Sequence, residues 1–391
     1  MSGPLVIVGG GPAALSAARG YREAGGSGEV VMLCAEDLPP YRRPPLTKEY
    51  LRGEMGREGL PLEDEGWYRE NGVRLLLSTR AAALDPARRT VRVAGGEEIP
   101  YESCVLATGA EPAQLSVPGA DDPGIALMRR VPDADRLRGR TSPGSRVAVV
   151  GSGFIGCEAA ASLALRGRRV TVVSMEELPQ ARRLGEEVGR RILSWLEGYG
   201  VEVLPGREVE EISRRSGGPY ALRTGEGEEI PADAVLFGAG IQPSSGLAEE
   251  AGLRTEGGRI VTDSSMRASA PGVLAAGDVA LAYNEAAGRP LAVEHWGDAL
   301  EQGRIAGAAA AGRQVRWDSV PGFWSTIGEK TLKYWAWGDG WDALAFEEGD
   351  DGSFVARYGR EGALVGVLAH GRDEVYEEAS DRIRAGAPFP G

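Results

Sequence analysis

The chain is 391 residues long, 42% apolar, and carries a formal charge of −13; this suits two or three soluble domains and excludes the basic face that nucleic acid requires. No apolar run approaches the roughly 18 to 20 residues needed to cross a bilayer, and the N-terminus enters an apolar strand at once, so a cytoplasmic protein with no membrane partner is expected. Cys34, Cys104 and Cys157 are scattered and the histidines are His295 and His370, so no disulfide framework and no metal site are expected, and each cysteine reads as a small buried apolar residue.

Leu5-Val6-Ile7-Val8 reads as a buried parallel strand and Leu15–Ala24 as a helix, with Gly9-Gly10-Gly11-Pro12-Ala13-Ala14 between them. Such a turn holds a dinucleotide: Gly9 closes it, Gly11 lets backbone approach a pyrophosphate, and the small Ala14 lets the helix pack on the strand. Glu29–Cys34 reads as a second parallel strand, and Glu36 just behind it is either a ribose acceptor or a solvated surface acid. The prolines of Pro39-Pro40-Tyr41-Arg42-Arg43-Pro44-Pro45-Leu46-Thr47-Lys48 predict a stiff, extended path before a helix around Lys48–Leu51, presenting Arg43 and Lys48 to a ligand. Lysine recurs only at Lys330 and Lys333 while arginine fills almost every other basic position, which marks Lys48 as a place for a compact ammonium.

Val105–Ala110 reads as a strand ending in the small-residue turn Ala107-Thr108-Gly109. The glycine pattern then recurs: Val147-Ala148-Val149-Val150, the turn Gly151-Ser152-Gly153-Phe154-Ile155-Gly156, and a helix over Ala159–Arg166. Two such turns imply two dinucleotides on one chain. Val235–Gly240 repeats the form of Val105–Ala110, and Pro118-Gly119 and Pro243-Ser244 are the expected crossings between domains. Val273–Asp278 is a further buried strand ending in Gly277-Asp278, which can offer an amide and a carboxylate, and Glu294-His295-Trp296 leads into a helix over Ala299–Ala311. Beyond Val315, clustered aromatics and the alternating strands Phe354–Tyr358 and Ala363–Ala369 predict a small α+β unit, with Trp324 its candidate site residue. The fold expected is therefore α/β: two Rossmann-like dinucleotide-binding domains, one over 1–115 and 243–314 and one over 116–242, with a C-terminal α+β domain over 315–391.

Together these residues resemble the FAD-dependent pyridine nucleotide-disulfide oxidoreductases, most closely the ferredoxin and rubredoxin reductase group with its apoptosis-inducing-factor-like members, over roughly residues 4 to 340. The resemblance implies that Gly9, Gly11, Pro12, Ala13, Ala14 and Glu36 hold FAD, with Arg43 on the flavin and Lys48 near its N5. Ala107-Thr108-Gly109 and Gly277-Asp278 match further FAD contacts, Asp278 on the ribityl chain, and Glu294-His295-Trp296 runs beside the ring. The second turn, with Gly151, Gly153, Ile155, Gly156 and Gly240, takes NADH or NADPH. Phe154 matches a gate, and Glu158 matches an acid near the nicotinamide, although a helix-start acid favoured by the dipole is the competing reading. Lys48 and Glu158 are the catalytic candidates.

No cysteine pair and no single cysteine in the Tyr41–Lys48 loop is present, so electrons are expected to leave the flavin directly, to a ferredoxin or rubredoxin. A flavin-dependent sensor, or a reductase of quinones or biosynthetic intermediates, is the alternative, as monomer or homodimer. Two departures stand out. Ser174 replaces the acid that meets a ribose 2′-hydroxyl in NADH-preferring members, with Glu176 and Glu177 slightly later, which leaves NADH or NADPH open. After Phe323-Trp324-Ser325 the chain has Thr326-Ile327 where the group usually has Asp-Gln, which puts the iron–sulfur partner in question.

Overall fold

The computed structural model describes residues 3–214 and 218–390. Its first sheet is wholly parallel, in the order Val273–Ala275, Ser103–Leu106, Leu5–Val8, Val30–Leu33, Val73–Leu76. Every residue of Leu5–Val8 and Val30–Leu33 is buried, the continuous apolar run that a parallel strand covered on both faces demands. A second parallel sheet repeats the plan: Glu202–Leu204, Arg169–Val173, Arg146–Val150, Ala234–Phe237, Ala126–Leu127.

The repeat extends further than the glycine turns suggested. In both units a three-stranded antiparallel meander, Ala81–Pro100 in one and Val209–Ala232 in the other, precedes the strand that returns to the parallel sheet. The chain leaves the first unit along Ala110–Pro112 and returns along Ile241–Pro243, two segments paired antiparallel. Pro118-Gly119, expected as a crossing, already lies inside the second unit, where the Pro118 carbonyl accepts the Ile212 amide at 2.9 Å.

Both dinucleotide-turn helices begin sooner than read. Pro12–Glu23 starts at a proline with no N–H to forfeit, and Phe154–Leu165 starts directly on Gly153 rather than at Ala159. Helix Pro12–Glu23 lies against Trp296–Ala310 at backbone contact: a Cβ on Gly307 would meet the Ala17 carbonyl at 1.9 Å. The proline-rich stretch is not extended either. Pro44–Thr47 forms a 3₁₀ turn that runs into the short helix Glu49–Arg52, since a proline φ suits the first turn of a helix as well as an extended chain.

The third unit is an antiparallel sheet in the order Gly322–Ile327, Lys330–Ala336, Ala363–His370, Phe354–Arg360, Ala343–Glu348, with helix Asp373–Arg384 across it. One apolar cluster joins Tyr41, Leu46 and Tyr50 of the first unit to Val149 and Cys157 of the second and to Phe323, Tyr334 and Leu368 of the third. The proline-rich segment is thus anchored where all three units meet. Among the described residues no helix is long and apolar enough to cross a membrane, and no group of three or more His, Cys, Asp and Glu could hold a metal ion.

Candidate active site

The two glycine turns, at the carboxyl ends of the two parallel sheets, open into one cleft of about 1110 Å³. Gly9 (φ +148°) lies so near the strand after it in the sheet that a Cβ would sit 2.2 Å from the Ala107 carbonyl, whereas one on Gly11 would meet nothing within 4 Å. Gly11 caps its helix without a side-chain hydrogen bond, which leaves backbone N–H groups facing the cleft. Gly151 (φ +105°) repeats the constraint, its Cβ position 2.6 Å from the Gly238 carbonyl, and Gly153 caps the second helix in the same bare way. Two helix N-termini without side-chain caps fit two pyrophosphates.

Of the residues singled out from sequence, Gly9, Gly11, Pro12, Ala13, Glu36, Arg43, Lys48, Ala107, Thr108 and Gly109 line the cleft from the first unit. Gly153, Phe154, Ile155, Glu158 and Gly240 line it from the second, and Gly277, Asp278, Glu294, His295, Trp296 and Trp324 complete the wall. Ala14, Gly151 and Gly156 lie behind it: Ala14 is fully buried, and a Cβ on Gly156 would strike the Gly151 carbonyl at 2.1 Å, so these residues shape the turns. Ser174 departs from expectation. Its hydroxyl is buried against Ser152 Oγ at 2.7 Å and the Glu176 backbone, so it offers a ribose nothing as it stands.

Glu36 is neither free nor merely solvated. It accepts from Arg43 Nη2 and from the Tyr41 hydroxyl, both at 2.7 Å. Burial pushes the carboxyl up, but the Arg43 charge and these hydrogen bonds outweigh it and leave the group below its ordinary value. Asp278 takes Arg129 Nη2 at 2.9 Å, and the Thr108 hydroxyl donates to the Ser244 carbonyl at 2.8 Å. Gln302 accepts the Gly277 amide through Oε1, while its Nε2 is buried with no partner, an unmet donor at the foot of the Gly277-Asp278 turn.

At the cleft's centre the Lys48 ammonium lies 2.5 Å from Glu158 Oε2, both side chains almost wholly buried. Glu158 also accepts from Thr47 Oγ1 at 2.6 Å, Ser325 Oγ at 2.7 Å and the Thr326 amide at 3.3 Å. Beside this group Phe154 packs on Phe323 with ring centroids 4.8 Å apart, and the Arg183 guanidinium covers both rings. Arg183 in turn reaches His295 Nε2 at 3.4 Å, and Asp298 reaches the other ring nitrogen at 3.3 Å. Trp324 stands at the mouth, 45% exposed. Arg129, Arg183 and Ser325 were missed from sequence; only Ser325, next to Trp324, lay in a segment already marked.

All three thiols are buried and free. Burial, with Glu36 adding to it, pushes Cys34 up to about 12, and burial drives Cys104 and Cys157 higher still. Burial thus opposes the thiolate form that disulfide chemistry needs at all three.

Two parallel sheets, each with a glycine cradle on a shared cleft, define an oxidoreductase that binds two dinucleotides. The chain belongs to the pyridine nucleotide-disulphide oxidoreductase family, whose pattern matches residues 3–314, and it is an FAD-dependent, NAD(P)H-using flavoprotein reductase. It is 34% identical over 329 residues to a rubredoxin-NAD(+) reductase of Pseudomonas putida, covering 84% of this chain and 85% of that protein. A probable ferredoxin reductase of Castellaniella defragrans is 35% identical over 325 residues, covering 82% and 78%. Among solved structures, the covalent putidaredoxin reductase–putidaredoxin complex superimposes with a TM-score of 0.93 at 28% identity, covering 98% of this chain and 94% of that one.

Proposed function

We propose that this protein carries electrons from NADH or NADPH, by way of bound FAD, to a small redox protein of the ferredoxin or rubredoxin type. The observation that carries the reading is the cleft itself, where both glycine cradles meet the buried Lys48–Glu158 pair and no thiol is available to take electrons. Bound FAD supplies a ring that accepts two electrons as hydride and releases them to an acceptor. The rest falls to side chains. Residues 1–115 and 243–314 would hold the FAD, with Gly11 amides on its pyrophosphate and Arg43 and Lys48 offering positive charge where negative charge develops. Residues 116–242 would hold the nicotinamide cofactor on the Gly153 cradle, behind Phe154. Trp324, exposed beside the cleft, would mark the face for the acceptor; the class of acceptor is supported by the relatives named as rubredoxin and ferredoxin reductases and by the neighbour captured with putidaredoxin. Three buried unpaired thiols support a cytoplasmic setting.

The test is anaerobic rapid mixing of FAD-loaded protein with NADH and with NADPH, then with ferredoxin, rubredoxin and a quinone. Fast bleaching by one nicotinamide and fast recovery with an iron–sulfur or rubredoxin carrier is the expected result. Recovery with the quinone alone would replace the protein acceptor by a small molecule, and no recovery with any carrier would favour a sensor.

A further inference from the structure

Glu158, on the second unit, is hydrogen-bonded by side chains of both the first and the third unit at once. A carboxylate offers about four acceptor sites, and here each has a donor. Lys48 and Thr47 of the first unit fill Oε2, and Ser325 and Thr326 of the third fill Oε1. The terminal torsion of a glutamate is soft, so the carboxylate plane is set by these donors. Three differ from Ser325 in kind: Lys48 is a flexible stem, Thr47 sits on a 3₁₀ turn, and the Thr326 amide is the longest contact. Ser325 is buried on strand Gly322–Ile327, paired with Leu332 across the ladder, and its hydroxyl has no other partner among the described residues.

We propose that Ser325 is a positioning residue for hydride transfer: through Glu158 Oε1 it fixes the carboxylate and so holds the Lys48 ammonium at one place in the cleft. The inference rests on the reductase reading above. It also means that the third unit, which carries neither glycine cradle, tunes the reacting site.

Ser325→Ala removes the hydroxyl alone, and Ser325→Thr keeps it on a residue that strands favour. In anaerobic mixing with NADH or NADPH, Ser325→Ala should lower the limiting rate of flavin reduction roughly tenfold or more, with half-saturating nicotinamide and the apo-protein's FAD affinity within about twofold of wild type. Its oxidised flavin bands should shift, because the nearby cation has moved, and Ser325→Thr should restore both rate and bands. A Ser325→Ala rate within twofold of wild type, or a folded Ser325→Thr as slow as the alanine variant, overturns the proposal. If Ser325→Ala does not fold, Ser325→Cys, similar in size and a weak donor, takes its place. A cysteine variant at the wild-type rate, or one that also fails to fold, overturns it. If wild type holds FAD but neither nicotinamide reduces it, the reductase reading fails. The clamp is then judged by spectrum alone: a band shift in Ser325→Ala reversed in Ser325→Thr supports it, and identical spectra overturn it.

Discussion

Lys48 and Glu158, 110 residues apart in sequence, form an ion pair of 2.5 Å between the first and second units, closed to solvent on every side but the cleft. Breaking a buried pair from one end leaves a charge without its counterion. Lys48→Ala should therefore destabilise the apo-protein by about 3 kcal/mol, the low end for such losses because three donors to Glu158 remain. The double variant Lys48→Met with Glu158→Gln, which removes both charges, should lose less than Lys48→Ala alone. Urea denaturation of the three proteins decides this, and a double variant weaker than the single would mean that the pair is not the source of the loss. The same Lys48→Ala protein, once loaded with FAD, should be reduced at least tenfold more slowly by nicotinamide.

The glycine turns give a prediction with two separable parts. Gly9→Ala places a Cβ 2.2 Å from the Ala107 carbonyl at a φ that side chains avoid, so it should lower both stability and FAD retention. Gly11→Ala meets no protein atom within 4 Å and costs only the difference between glycine and alanine at a helix cap, under about 1 kcal/mol. Its methyl instead fills the space a pyrophosphate would approach. Melting of the apo-proteins and FAD titration should thus separate the two variants: Gly9→Ala fails both, and Gly11→Ala fails only the titration.

Glu36 contributes a pH dependence of known sign. Its folded carboxyl titrates below the ordinary 4.5, so at neutral pH it adds stability that is lost as pH falls from 4.5 through the lower folded value. Glu36→Gln should be less stable than wild type at pH 7, and that deficit should close under acid. Tyr41 does not share this window, since burial pushes its hydroxyl well above neutral and it remains a donor throughout. A deficit that persisted unchanged down to pH 3 would place the effect in packing rather than in the Arg43 charge.

What could be read from sequence was what is local. Each glycine turn declares itself within a few residues, because the tight φ, the open cap and the small helix contact all lie on one strand-turn-helix unit. Lys48 stood out for its rarity among arginines. The partners of Glu158 did not, since Ser325 lies 167 residues away and meets it only after three units have packed. The setting of Ser174 was hidden for the same reason: its place at the end of Arg169–Val173 is legible, but that its hydroxyl turns inward to Ser152 is not. The 3₁₀ turn at Pro44–Thr47 went unread because proline fixes φ and leaves ψ to tertiary contacts, here those of buried Leu46 in the shared cluster.

The family name speaks of disulfides, and the thiols offer the sharpest check on whether this chain uses them. Cys104 and Cys157 have no exposure at all, and Cys34 is buried behind the Gly9-Gly10 turn with its Sγ 3.5 Å from the Gly9 carbonyl. A disulfide reagent at pH 8 should label none of the three in the folded protein and all three after denaturation, because thiols held this far above their ordinary value present almost no thiolate. Replacing each by alanine in turn should cost about 1 kcal/mol of packing apiece, and the rate of flavin reduction and its reoxidation by the protein acceptor should hold within about twofold. Rapid labelling of Cys34 in the native state, with loss of turnover, would restore sulfur to the electron path and remove the argument that reducing equivalents leave the flavin directly.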